Sequence, residues 1–242
     1  MKKILIGLSV LLFVGYIIFV VTKFAVKPAE EKCQKIQINV MDSASIKFMS
    51  SHDIYSFLIK NDLYPEGKKI KDINTEVIEQ KLKSVPIIAT AECFFTPSGN
   101  MHVNVTQRKP IMRIMGSSGN YYIDEAAKII PVSSNFNVFL PIATGKIDTL
   151  YAQTSLHDLA LFLKKDDFWN AQIAQIDVQE NKDVILIPRV GDHQIILGKI
   201  DNFEPKLTQL MEFYQKGLNE TGWNKYKQIN LKFDGQIVCT KR

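Results

Sequence analysis

The sequence predicts an α+β protein: an N-terminal transmembrane helix, a small domain ordered strand-helix-helix-strand-strand, and a mainly β domain with a few helices. Three observations predict it. Residues Ile4 to Val21 form an 18-residue apolar run without a charge. The stretch from Lys35 to Thr106 switches hydrophobic period from 2 to about 3.6 and back. After it, short alternating runs separated by turn residues dominate, interrupted by two amphipathic segments.

At about 1.5 Å rise per residue, the apolar run approaches the ~30 Å thickness of bilayer hydrocarbon, and in lipid its amides are satisfied only within a helix. A cleaved signal peptide is the rival reading, but its apolar core is usually about 7–15 residues and precedes small residues. Here Thr22-Lys23-Phe24-Ala25-Val26-Lys27-Pro28 follows. Charge alone leaves orientation open, since Lys2 and Lys3 stand on one side and Lys23 and Lys27 on the other. A long polar domain translocates largely regardless of charge, so the expectation is an N-terminus inside and the domains outside. The divisions are 1–3 cytoplasmic tail, 4–21 transmembrane helix, 22–34 tether, 35–108 first domain and 109–242 second domain.

Composition supports two cores, with 46% hydrophobic and 10% aromatic residues. The net charge of +5 belongs to the start of the chain: setting aside Lys2, Lys3, Lys23 and Lys27 leaves 26 basic against 25 acidic residues. That balance argues against nucleic acid, which needs a concentrated basic face. Cys33, Cys93 and Cys239 form no CxxC pair, so neither a disulfide framework nor a zinc spacing is present.

In the first domain, Lys35-Ile36-Gln37-Ile38-Asn39-Val40 alternates as a strand. Ser50 and Asp53 write a capping box ahead of Ile54, Phe57 and Leu58. Pro65 and Gly67 break the chain before a second helix from about Asn74, with Val77, Ile78, Leu82 and Val85 on one stripe and Pro86 as its stop. Strands at Ile87–Phe95 and Met101–Thr106 flank a Pro97-Ser98-Gly99-Asn100 turn. In the second domain, Thr154–Lys165 is helical, with Leu156, Leu159, Ala160 and Leu163 on one face. Strands follow at Gln172–Val178, Asp183–Ile187 and Gln194–Leu197, then a helix capped by Asp201 or Asn202 with Leu207, Leu210, Met211, Tyr214 and Leu218 inward. A last hairpin pairs Lys227–Phe233 with Gln236–Thr240 about Asp234-Gly235 and places Ile229, Leu231 and Phe233 on one buried face.

Catalytic chemistry has no constellation in this sequence. His52, His102, His157 and His193 each stand alone and read as solvated or turn residues. Gly116-Ser117-Ser118-Gly119 lacks the spacing of a nucleophile elbow and reads as a hairpin loop. Asp166-Asp167 reads as a solvated helix terminus, and Tyr151, Phe162, Phe168 and Trp169 as core. No glycine-rich phosphate cradle occurs, and no cofactor or metal is expected.

The order strand-helix-helix-strand-strand resembles a polypeptide-transport-associated (POTRA) domain. Beyond it, Arg108-Lys109-Pro110 closes a strand, Ile123-Asp124 ends a hairpin and Leu140-Pro141-Ile142-Ala143-Thr144-Gly145 supplies an LPxxxG segment. Together with Val85-Pro86, these resemble the FtsQ/DivIB family of bacterial cell-division proteins. Gln107 stands where that family usually has Glu, and Ala126-Ala127 where a Gly normally follows the Asp. The resemblance implies a non-catalytic scaffold of the divisome in the cell inner membrane, its domains periplasmic and placed at the septum. The partners it implies are the FtsB/FtsL (DivIC/FtsL) coiled-coil pair and, through anchor and POTRA domain, FtsK, FtsW and the septal transpeptidase. It also implies a docking edge at Phe233, Gln236, Ile237, Val238, Cys239 and Thr240, where Thr240 replaces an aromatic, and a recruitment surface at Thr90, Ala91 and Cys93. For Ala91 and Cys93, inward alternation into the core is the competing reading. A membrane-anchored peptidoglycan hydrolase and an outer-membrane assembly factor are the rival functions.

Overall fold

The computed structural model describes residues 11–20, 31–42, 48–132, 139–218, 220, 222–233 and 235–242. Residues 11–20 are helical and carry exposed apolar side chains, among them Leu11, Leu12, Phe13, Ile17 and Phe19. The rest of the expected membrane segment lies outside the described residues. Among the described residues no helix is long and apolar enough to cross a membrane.

The chain separates into two compact units, one built around Ser51–Leu82 and Ala91–Val105 with the strand before Met41, the other around Thr106–Arg242 with Lys83–Thr90. The first unit holds strand β1 (Ile36–Val40), helix α1 (Ser51–Lys60), helix α2 (Thr75–Lys83) but for its last residue, and the larger parts of strands β2 (Ile88–Phe95) and β3 (Met101–Gln107), in the expected order. Asn74 starts α2 because its carboxamide oxygen accepts from the Val77 N–H at 3.1 Å. The three strands lie in the order β1-β3-β2, with β1 parallel to β3 from Ile36↔Met101 to Val40↔Val105. A parallel pair needs a crossover, which α1, α2 and β2 supply. Ile54, Leu58, Ile78 and Leu82 of the helices and Ala91, Cys93, Met101, Val103 and Val105 of the strands are all buried. Each aliphatic side chain buried this way contributes about 1.5–3 kcal/mol.

The second unit is a nine-stranded mixed sheet. Its strands are β4 (Pro110–Gly116), β5 (Gly119–Asp124), β6 (Ile129–Pro131), β7 (Ile142–Gly145), β8 (Ile173–Val178), β9 (Val184–Pro188), β10 (Gln194–Gly198), β11 (Tyr226–Asn230) and β12 (Val238–Lys241). They lie in the order β12-β11-β10-β9-β8-β7-β4-β5-β6. Helices α3 (Thr149–Gln153), α4 (Ser155–Lys165) and α5 (Asp167–Gln172) connect β7 to its parallel neighbour β8. Helix α6 (Phe203–Phe213), prolonged by a π turn over Tyr214–Leu218, connects β10 to its parallel neighbour β11. Leu156, Leu159 and Leu163 of α4 and Leu207 and Leu210 of α6 close one core with Ile176, Leu186, Ile195 and Ile229 of the sheet.

A POTRA-like unit followed by a mainly β unit is therefore what the sequence predicted, with three local differences. Asp166 is not merely a solvated terminus: it opens α5 by accepting from the Phe168 and Trp169 N–H groups at 2.9 and 3.1 Å. His193 is not solvated but 2% exposed, because the chain entering β10 carries it inward beside Tyr214. Strand β11 ends three residues early. Asn230 Oδ1 accepts from the Lys232 N–H at 2.9 Å, bending the chain, so Leu231 stays buried while Phe233, expected inside, is 53% exposed.

Candidate functional site

The end of the chain builds the site. Pairing of β12 with β11 runs antiparallel through Asn230↔Val238, Ile229↔Cys239, Gln228↔Thr240 and Tyr226↔Lys241. Beyond β12 no strand follows among the described residues, so its outer peptide groups form an open edge. Period-2 geometry sends Ile237 and Cys239 toward the core, where both pack half-buried, and leaves Val238 and Thr240 exposed. Burial pushes the Cys239 thiol above its ordinary pKa, which disfavours the nucleophilic thiolate.

The connection before β12 is held from both ends. Leu231 N–H still bonds the Ile196 carbonyl of β10 at 2.9 Å, and Lys232 Nζ lies 2.8 Å from Asp183 Oδ2. That ammonium holds the Asp183 carboxyl below the usual carboxylate range. The Gln236 N–H bonds the Phe233 carbonyl at 3.2 Å, and Gln236 itself is exposed. At the far end Arg242 donates to Asp192, reaching its carbonyl at 3.0 Å and its carboxylate at 3.1 Å. The result is a strand fastened at both ends, with Val238 exposed on it and Phe233 exposed in the connection before it.

Strand β2 carries the second set of expected residues, which its alternation divides. Ala91 is 0% and Cys93 8% exposed, so both face the interior, and Cys93 N–H donates to Glu79 of α2 at 2.8 Å. Thr90 is exposed, its hydroxyl 2.5 Å from that of Thr106. Of the three, Thr90 alone presents its side chain to solvent.

A polar junction at the start of the second unit was not legible as a set. Arg108 pairs with Asp124 at 2.9 Å and also donates to the Pro86 carbonyl at 3.0 Å. Asp124 accepts in turn from the Ala126 and Lys128 N–H groups at 2.9 and 2.7 Å, closing the turn into β6. Gln107, 2% exposed, accepts from the Met49 N–H at 2.7 Å and donates to Asp42 at 3.2 Å. The basic residue closing β3 and the aspartate ending β5 were each visible in sequence; only folding makes them one pair.

No group of three or more His, Cys, Asp and Glu side chains that could hold a metal ion occurs among the described residues. The serines of the β4–β5 turn are occupied structurally: Ser117 donates to the Ile147 carbonyl at 2.8 Å and Ser118 shares a hydrogen bond with the Tyr121 hydroxyl at 2.9 Å. The chemistry on offer at β12 is recognition through backbone hydrogen bonds and exposed apolar side chains.

Comparison with known proteins agrees with this architecture. Residues 31–106 match the POTRA-like domain family, and residues 109–240 match the family described as FtsQ/DivIB, C-terminal related. The cell division protein FtsQ of Salinibacter ruber (strain DSM 13855 / M31) is 26% identical over 168 residues. That alignment spans 64% of this chain and 64% of the relative, just under two thirds of the relative's length. Since the C-terminal match alone takes in more than half of the 242 residues, the chain belongs to the FtsQ/DivIB family.

Proposed function

We propose that this protein is a non-catalytic scaffold of the bacterial division machinery. It is anchored in the cytoplasmic membrane by residues 4–21, with its N-terminus inside and both folded units outside at the septum. Family membership and a relative whose name is that of a cell division protein support the division role. The 18-residue apolar run supports the anchor.

The observation that carries the partner assignment is the open edge of β12, with Val238 exposed on it and Phe233 exposed in the connection before it. An incoming strand gains main-chain hydrogen bonds along such an edge and specificity from flanking side chains. The partner docked there is the FtsB/FtsL (DivIC/FtsL) pair, its added strand running along Val238, Cys239 and Thr240 with Phe233, Gln236 and Ile237 flanking it. FtsK, FtsW and the septal transpeptidase meet the anchor and the POTRA-like unit, where Thr90 is the exposed member of the recruitment surface and Ala91 and Cys93 support it from inside.

Removing residues 236–242, or placing Pro at Val238, should abolish co-purification of the FtsB/FtsL pair while the POTRA-like unit stays folded. Undiminished co-purification would refute the docking edge. A fluorescent fusion should gather at the septum of dividing cells; a uniform envelope signal would sink the division role.

A further inference from the structure

The first unit also ends in an edge, and this one is built differently. Met101 N–H bonds the Lys35 carbonyl at 2.9 Å and Met41 N–H bonds the Val105 carbonyl at 3.0 Å, so the odd-numbered peptide groups of β1 face β3. By parity the peptide groups of Ile36, Ile38 and Val40 point away from the sheet. Upstream that outer side is covered: Cys33 N–H bonds the Lys68 carbonyl and Gly67 N–H bonds the Cys33 carbonyl, both at 2.9 Å. At Ile36 the cover becomes a single carboxylate, with Glu66 Oε1 accepting from the Ile36 N–H at 2.9 Å. Among the described residues no hydrogen-bond partner covers that side from Ile38 onward.

Beside the open stretch runs a groove of about 510 Å³ between β1 and α1. An aromatic row lines it. His52 and Tyr55 stack at 6.4 Å, and Tyr55 meets Tyr64 edge-on at 5.2 Å. The row ends on Glu66. The Tyr64 hydroxyl donates to that carboxylate and, with the Ile36 N–H, holds it below the usual carboxylate range. Burial, with the hydrogen bond to Glu66, raises the Tyr64 hydroxyl above its ordinary value. The Lys35 ammonium nearby lowers the Glu66 carboxyl further, although no Lys35–Glu66 ion pair occurs among the described residues; a carboxylate has about four acceptor positions, of which the Ile36 N–H and the Tyr64 hydroxyl use two. A fixed anion beside two tyrosine rings is a receptor for a cation, and an open strand edge is a receptor for extended backbone.

We propose that this groove receives an extended peptide segment of another protein, added as a strand to β1, with a lysine or arginine side chain seated on Tyr55 and Tyr64 against Glu66. The occupant is a basic peptide because the groove offers an anion and ring faces, which an acidic strand would meet as repulsion. This site is independent of the docking assigned to β12.

The test uses the full chain in detergent micelles and a fluorescein-labelled, end-capped peptide Thr-Val-Arg-Val-Thr, with Glu in place of Arg as the control. Fluorescence anisotropy should report binding of the Arg peptide and none of the Glu peptide. Glu66→Gln keeps an acceptor for the Ile36 N–H while removing the charge, and should weaken binding about tenfold. If Glu66→Gln fails to fold by circular dichroism, Tyr55→Leu on the exposed side of α1 carries the same expectation. In ¹⁵N spectra the Ile38 amide should shift on titration. Failure of the Arg peptide to bind, equal binding of both peptides, unchanged affinity in the folded variant, or shifts at Val238 and Thr240 in place of Ile38 would each overturn the proposal.

Discussion

Of the positions where the sequence departs from the pattern it resembles, Gln107 and Ala127 have a local account in the structure. Gln107 donates its amide to Asp42 from a site 2% exposed, a contact that a glutamate could not make. Gln107→Glu would set a second carboxylate against Asp42 and remove the side-chain amide that donates to Asp42 Oδ1, the backbone N–H bond to Oδ2 remaining, at a cost of about 1–3 kcal/mol at neutral pH. Like charge at short range raises the pKa of one of the two carboxyls. The introduced glutamate then binds a proton more readily folded than unfolded, and the loss shrinks as pH falls toward 4. Urea unfolding at pH 7 and pH 4.5 checks both signs, and a deficit independent of pH would contradict them. Ala127, in the turn closed by Asp124, has φ +55, the left-handed region that costs an L-residue about 1–2 kcal/mol. Glycine there relieves that cost and adds about 0.5–1 kcal/mol of chain entropy lost on folding. Ala127→Gly should therefore stabilise the second unit by up to about 1 kcal/mol, read as a higher urea midpoint with unchanged slope.

At the scale of the element, the LPxxxG segment has a physical purpose. It becomes β7, which lies parallel to both β4 and β8 through the registers Arg113↔Ile142 and Ile142↔Gln175. Its last residue, Gly145, leaves the strand at φ +98 so close to β8 that a Cβ would stand 2.1 Å from the Val178 carbonyl oxygen. No side chain fits there without moving backbone. Gly145→Ala should cost at least about 2 kcal/mol, the left-handed cost joined by the clash, and a thermal midpoint within a degree of wild type would refute the account. The other end of the sheet shows how elements end. Asn230 reads as a strand residue by alternation, yet its carboxamide captures the Lys232 N–H and turns the chain out of β11, which is why Phe233 is exposed in the connection before β12. A hydrogen bond between neighbours in sequence overrode the period there.

For the molecule as a whole, stability should depend on pH through His193. Its Nε2 lies 2.8 Å from the Tyr214 hydroxyl, its Nδ1 has no hydrogen-bond partner among the described residues, and Trp223 flanks the ring. Burial lowers its pKa, Arg242 at the end of β12 lowers it further, and Asp192 opposes both. With the folded pKa below the unfolded value near 6.5, both states are neutral above that pH and no penalty arises. Below it the unfolded chain takes up a proton that the folded chain refuses, so stability falls as pH drops from about 6.5 toward the folded value. His193→Gln keeps a polar partner for Tyr214 and should flatten that part of the profile, measured as urea midpoints from pH 7.5 to 5. A variant with the same slope would assign the dependence elsewhere.

How much was legible in advance follows from the range of the forces involved. Period and punctuation act over a few residues, so the alternation of β1, the stripe of α1, the Ile78 and Leu82 positions of α2, the Pro86 stop and the order of the POTRA-like unit were readable from neighbours alone, whereas Val77, expected on the α2 stripe, is exposed. The short family motifs were readable for the same reason. Sheet order was not: nothing in Leu140–Gly145 says that β7 lies between β4 and β8, because parallel pairing joins residues some 30 positions apart. Nor could sequence decide which turn residue is buried. His193 follows a Gly-Asp turn and looks solvated until Tyr214 and Trp223 arrive from α6 and the segment beyond it. The docking edge divides in the same way. Alternation named Gln236 to Thr240 as a last strand, whereas its place at the open end of nine strands and the outward turn of Phe233 depend on what packs beside them, which only the tertiary fold determines.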